Sequence, residues 1–153
     1  MGMKYEINDE TLAIIPMSGN KTRVVEIADE YVVEESSYSI MESSCKYFGS
    51  SLDGRIMGSK DVLGNVYKLP VIVEESQKLI FFPTEAISSP NVSWISYKNI
   101  KNIEKCGKDT IIKFVNGEEI VIDCPYFSVK NQIFRCNMLD SVFYNRKNAK
   151  KND

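Results

Sequence analysis

Thr110-Ile111-Ile112-Lys113-Phe114-Val115-Asn116-Gly117-Glu118-Glu119-Ile120-Val121-Ile122-Asp123 carries the clearest local signal in the chain. Two β-branched runs flank Asn116-Gly117, a pair that accepts the positive φ angles of a type I′ hairpin turn. With a two-residue turn, Ile112 and Phe114 share a face with Val121, and Ile111, Val115, Ile120 and Ile122 share the other. Neither face is wholly polar, which predicts a sheet covered on both sides.

Downstream the pattern becomes helical. Ser128 is the expected cap, and a helix is predicted over roughly 127–146. Val129, Ile133, Cys136, Leu139 and Phe143 form one broad apolar face. Phe134, Met138 and Val142 form a second ridge at i, i+4, i+8. A helix with two apolar faces is either deeply buried or meets a second partner. Both burial within the monomer and a dimer interface through Phe134, Met138 and Val142 fit. Residues 147–153 read as a basic mobile tail behind a single domain over residues 1–146.

Upstream, strands dominate. Thr11–Pro16 and Thr22–Ile27 flank a Ser-Gly-Asn turn, and Tyr31–Val33, Val71–Val73, Leu79–Phe82, Trp94–Tyr97 and Ile100–Glu104 have strand character. Tyr38–Met41 is a weaker strand candidate. Between them lies Ser43-Ser44-Cys45-Lys46-Tyr47-Phe48-Gly49-Ser50-Ser51-Leu52-Asp53-Gly54-Arg55-Ile56-Met57-Gly58-Ser59-Lys60. A glycine–serine loop and then a short helix capped by Ser51 are expected here. Gly54 and Gly58 each cost such a helix about 1 kcal/mol relative to alanine. Tyr47 and Phe48 are expected to anchor the segment in the core, and Trp94 to be core. No helix-turn-helix pattern is recognised. The fold class is α+β: a mainly antiparallel curved β-sheet or partial barrel of seven or more strands, with a C-terminal helix. A pleckstrin-homology-like barrel, and hence a protein- or lipid-binding module, fits the same order of elements.

Composition narrows the function. The 153 residues include no histidine, which excludes Ser-His-Asp and Cys-His mechanisms. No phosphate loop, dinucleotide fingerprint or calcium loop is present. The pairs Glu34-Glu35 and Glu74-Glu75 read as solvated turns, so no catalytic residue is assigned. Cys45, Cys106, Cys124 and Cys136 form no C-x-x-C pair, which argues against zinc and for buried or half-buried thiols. No cofactor or metal is expected. No apolar run approaches the ~20 residues of a membrane helix, and the first residues carry no secretory signal pattern, so the chain reads as cytoplasmic. The net charge is −2, unevenly spread. Residues 1–43 hold three basic and nine acidic side chains; residues 44–153 hold sixteen and twelve. Local field rather than total charge attracts a polyanion.

The order Ser44-Cys45-Lys46-Tyr47-Phe48-Gly49-Ser50-Ser51, then Gly54-Arg55, resembles the central signature of the ComK family of competence transcription regulators. Phe82-Pro83-Thr84, Trp94-Ile95-Ser96, Phe114 with Asn116-Gly117, and Asn131-Gln132 followed by Arg135 sit where that family has similar residues. The matches keep order and spacing over about residues 10–146. The resemblance implies a protein that binds paired A/T-rich boxes of double-stranded DNA, largely through the minor groove. It also implies homodimers that combine into larger complexes, and, for some members, handover to a Clp protease by an adaptor. Longer members carry a C-terminal extension that contributes to activation and proteolytic control, whereas this sequence stops at Asp153.

That mode suits the residues. The narrow groove of A/T tracts favours an inserted cationic side chain, glycines permit close backbone approach, and hydroxyls bind phosphate oxygens. Lys46, Arg55 and Lys60 supply charge, Gly49, Gly54 and Gly58 approach, and Ser50 and Ser51 hydrogen bonds. Arg55 is the expected groove residue, Lys46 and Lys60 the phosphate contacts. Asn131, Gln132 and Arg135 either reach DNA or serve the helix. Read without the resemblance, the same segment is a glycine-rich structural loop.

Overall fold

The computed structural model describes residues 4–151. In chain order the elements are β1 (Thr11–Met17), β2 (Lys21–Glu26), β3 (Glu30–Val33), α1 (Ser37–Tyr47), α2 (Leu52–Leu63), β4 (Val71–Glu74), β5 (Leu79–Pro83), β6 (Trp94–Ser96), β7 (Ile100–Cys106), β8 (Asp109–Phe114), β9 (Glu119–Ile122) and α3 (Tyr126–Lys151). All pairings are antiparallel. One sheet has the order β3-β2-β1-β6-β5-β4 and the other β7-β8-β9. The α+β architecture with a C-terminal helix is as expected. The sheets stay open and do not close into a pleckstrin-like barrel.

Strand alternation divides the larger sheet between two cores. Val71, Val73, Leu79, Phe81 and Trp94 pack with Ile40, Met41 and Cys45 of α1 and Leu52 of α2. Ile72, Ile80, Phe82 and Ile95 pack with Ile112, Phe114, Ile120 and Ile122 of the smaller sheet and with Val129, Cys136 and Leu139 of α3. The larger sheet thus lies between α1–α2 and the layer of small sheet plus α3. Trp94 is core, as expected, at 1% exposure.

The β8–β9 turn departs from its sequence reading. Phe114 and Glu118 close the ladder, the Phe114 amide donating to the Glu118 carbonyl at 2.9 Å. The loop is therefore Val115-Asn116-Gly117, with Gly117 at φ +92°. Three residues rather than two shift the register by one, and Ile112 faces Ile120, not Val121. A one-residue slip moves side chains to the opposite face. Ile112, Phe114, Ile120 and Ile122 become buried together, while Val115 and Val121 are exposed. The hairpin is covered on one face, not two.

Tyr38–Met41 is helix, not strand. Ser36 caps α1 by accepting the Ser39 amide at 3.0 Å. Ser37, Ile40, Met41, Ser44 and Cys45 are buried on one side, the i, i+3, i+4, i+7, i+8 spacing of a helical face. At the other end, α3 begins at Tyr126, so Ser128 lies inside its first turn and does not cap it. The helix reaches Lys151, five residues past the expected end.

Candidate nucleic-acid interface

The signature segment folds as two helices joined by a tight turn rather than as a loop and one helix. The turn is a helix stop and a helix start placed back to back. Gly49 stands at φ +88°, a left-handed conformation that glycine adopts without Cβ strain. Its amide donates to the Lys46 carbonyl at 3.0 Å, and the Ser50 amide to the Cys45 carbonyl at 3.0 Å. These two bonds make a Schellman stop for α1. Ser51 then caps α2, its Oγ accepting the Gly54 amide at 3.0 Å, as the sequence predicted. Glu42 ties the helices together: its carboxylate accepts the Leu52 amide at 3.4 Å and lies 4.0 Å from Lys46 Nζ.

Six of the expected contacts gather at this corner: Lys46, Gly49, Ser50, Ser51, Gly54 and Arg55. Lys60 is about 7.5 Å beyond Arg55 along α2 at 1.5 Å per residue. The Lys46 side chain is 68% exposed, and Lys60 and Gly54 are exposed. Tyr47, expected as an anchor, is exposed; Phe48 alone packs on the core.

Arg55 does not project freely. It is half-buried in a cleft of about 120 Å³ lined by Ser50, Gly54, Gly58, Ser59, Glu75 and Phe143, among others. Arg55 Nε and Ser59 Oγ are both buried there without a hydrogen-bond partner among the described residues. The guanidinium influences its neighbours. Burial pushes the Cys45 thiol up to about 11 against the pull of Arg55. Burial would also raise Glu74, but hydrogen bonds from Ser76 and the Gln77 amide, helped by Arg55, hold its carboxyl below its ordinary value.

The second expected group lies apart, on α3. Gln132 is buried, and its Nε2 donates to the Lys68 and Pro83 carbonyls, both at 2.8 Å. Arg135 Nη1 donates to the Tyr67 carbonyl at 2.8 Å and to Gln132 Oε1 at 3.2 Å. These two side chains clamp the Gly64–Pro70 connection and the end of β5. Asn131 is exposed. Of the ridge on the same helix, Phe134 is 61% and Met138 39% exposed, and Val142 is half-buried. Phe127, which the sequence reading passed over, is 68% exposed one turn before Lys130. Its i, i+7 spacing to Phe134 was the available signal.

Among the described residues no group of three or more Cys, Asp and Glu side chains is placed to hold a metal ion, and no helix is long and apolar enough to cross a membrane. Cys45, Cys124 and Cys136 are buried, but Cys106 is exposed, contrary to expectation.

The family model described as "ComK protein" matches residues 3–148. The chain belongs to the ComK family. The competence transcription factor of Bacillus subtilis (strain 168) is 31% identical over 146 residues, covering 93% of this chain and 76% of that protein. No solved structure matches. In this chain the segment from Ser44 to Arg55 forms the two-cap turn between α1 and α2, and Gly49, Ser50, Ser51 and Gly54 supply its hydrogen bonds.

Proposed function

We propose that this protein is a DNA-binding transcription regulator of competence genes that reads paired A/T-rich boxes, largely through the minor groove. The observation that carries this reading is the match to a competence transcription factor over 93% of the chain. The two-cap turn supports it physically. It presents Lys46, Ser50 and Ser51 at one corner, with Gly54 beside them and Lys60 down the same helix. Backbone at Gly54 can approach a phosphate closely, and hydroxyls and cations supply the contacts. Arg55 is the groove residue. Its side chain is half-buried with Nε enclosed and without a protein acceptor, so the groove contact falls to the terminal guanidinium nitrogens. Asn131 adds a polar contact from α3. Gln132 and Arg135 act indirectly, by holding the connection that follows α2.

The protein acts as a homodimer, with Phe134, Met138 and Val142 at the contact, and combines into larger assemblies on DNA. Its place is the cytoplasm, on the nucleoid, and it does its work without catalysis or cofactor. A Clp protease adaptor is a further partner.

Arg55→Ala tests the site. Loss of a groove cation should weaken binding to an A/T-box duplex by about 1–3 kcal/mol while circular dichroism stays unchanged. Unchanged affinity in a folded variant would remove Arg55 from the interface.

A further inference from the structure

The β7–β8 hairpin carries a cationic surface that the signature segment does not include. Its tip reads Lys105-Cys106-Gly107-Lys108, with Gly107 at φ +62° closing a two-residue turn between the paired residues Cys106 and Asp109. Lys105 crosses to the start of α3, its Nζ 4.9 Å from the centre of the Phe127 ring and 5.5 Å from that of Tyr126. The two rings meet edge to face at 5.3 Å, which fixes the platform beneath the ammonium. Lys130 lies one turn beyond Phe127, and Lys101 lies at the β-bulge near the start of the same strand.

Lys101, Lys105, Lys108 and Lys130 are exposed and have no carboxylate within 4.0 Å among the described residues. Of the nearby acids, Glu104 pairs with Lys113 at 2.6 Å, Asp109 is half-buried with Oδ1 enclosed, and Asp123 is exposed three residues before α3, so the lysines outnumber the unpaired exposed carboxylates. From Tyr126 to Leu139, α3 contains no acidic residue. The positive end of the helix dipole adds to the same field. Aromatic rings holding a lysine head at a hairpin tip form a preset anion surface rather than a scatter of solvated chains.

We infer that the β7–β8 tip and the first turns of α3 form a second contact surface for DNA backbone phosphates. This rests on the DNA-binding reading above and extends it to the end of α3 remote from the Arg55 cleft, which Phe143 lines. The ligand class is the phosphodiester backbone, read without regard to sequence, so this surface adds affinity and salt dependence but no base preference.

The test is a salt titration of the full chain and of a Lys105→Ala/Lys108→Ala double variant on an A/T-box duplex and a G/C-substituted duplex. The variant should bind about tenfold more weakly at low salt. Its log–log salt slope should be shallower by about two, with the A/T-over-G/C ratio unchanged. Unchanged affinity and slope in the variant, with wild type binding, overturn this inference and leave the α1–α2 reading standing. Loss of the A/T ratio along with affinity also overturns it, because the lysines would then be reading bases. Wild type that binds neither duplex overturns both readings. Cys106 gives a check without mutation. Its exposed thiol stands between the two lysines in sequence at the hairpin tip, so saturating A/T-box DNA should slow its alkylation severalfold. An unchanged rate on saturated protein counts against the surface.

Discussion

The Ser51 hydroxyl oxygen accepts the amide of Gly54 at 3.0 Å, and a Cβ added at Gly54 would lie 3.2 Å from that same oxygen and 3.0 Å from Ser50 Oγ. Gly54 therefore fits the cap as well as leaving backbone open outside. Gly49 and Gly58 separate these roles. Gly49 needs its positive φ, so Gly49→Ala should cost about 1 kcal/mol or more in urea denaturation. Gly58 sits in the interior of α2, and a Cβ there meets nothing within 4 Å. Gly58→Ala should stabilise the fold by roughly 0.5–1 kcal/mol through helix propensity. Equal effects at both sites would refute the two-cap account of the turn.

Gln132 is assigned a structural role. Gln132→Leu leaves the Pro83 carbonyl buried without its donor, and an orphaned buried acceptor costs about 1–3 kcal/mol. Chemical denaturation should show that loss. At temperatures where the variant remains folded, its A/T-over-G/C ratio should equal that of wild type. A changed ratio at full stability would instead place Gln132 on the bases.

The exposed ridge of α3 predicts an oligomer. Met138→Glu puts a charge at the centre of the Phe134–Met138–Val142 contact, where an unpaired charge is costly. Light scattering should give a dimer for wild type and a monomer for the variant, with matching circular dichroism. Identical masses for two folded proteins would rule this face out as the dimer contact.

Tyr5 sets an alkaline limit. Burial, and then its hydrogen bond to Glu26, raise the phenol above its ordinary value. The hydroxyl donates to Glu26 Oε2 at 2.5 Å. The folded state holds the proton that the unfolded chain releases near pH 10. The stabilisation is complete below about pH 10 and is lost as pH rises above it. Tyr5→Phe should be less stable at pH 8 but lose less stability between pH 10 and 11 than wild type. Parallel losses in the two proteins would show that Tyr5 is not the group responsible.

Much of the fold was legible because it rests on local chemistry. Ser51 could be read as a cap because a serine three residues before a glycine amide is a local arrangement. The strands around Asn116-Gly117 were equally visible, but their register was not. It depends on Val115, whose amide donates to the Asn99 carbonyl at 2.9 Å, a partner sixteen residues away. α1 was missed because Tyr38–Met41 is too short a window to reveal a face that continues to Ser44 and Cys45. At the site, residue types identified the signature segment but not the burial of Arg55 or the clamp of Gln132. Both depend on α3 and the Gly64–Pro70 connection folding against elements distant in sequence.

The most direct measurement of the central claim is equilibrium binding of the full chain to a duplex with paired A/T-rich boxes, against the same duplex with G/C-substituted boxes. It should be run with and without a netropsin-like minor-groove ligand. The account predicts tighter binding to the A/T duplex, weakening with salt, and displacement by the drug. Equal affinity for both duplexes, or binding that the drug leaves unchanged, would contradict it.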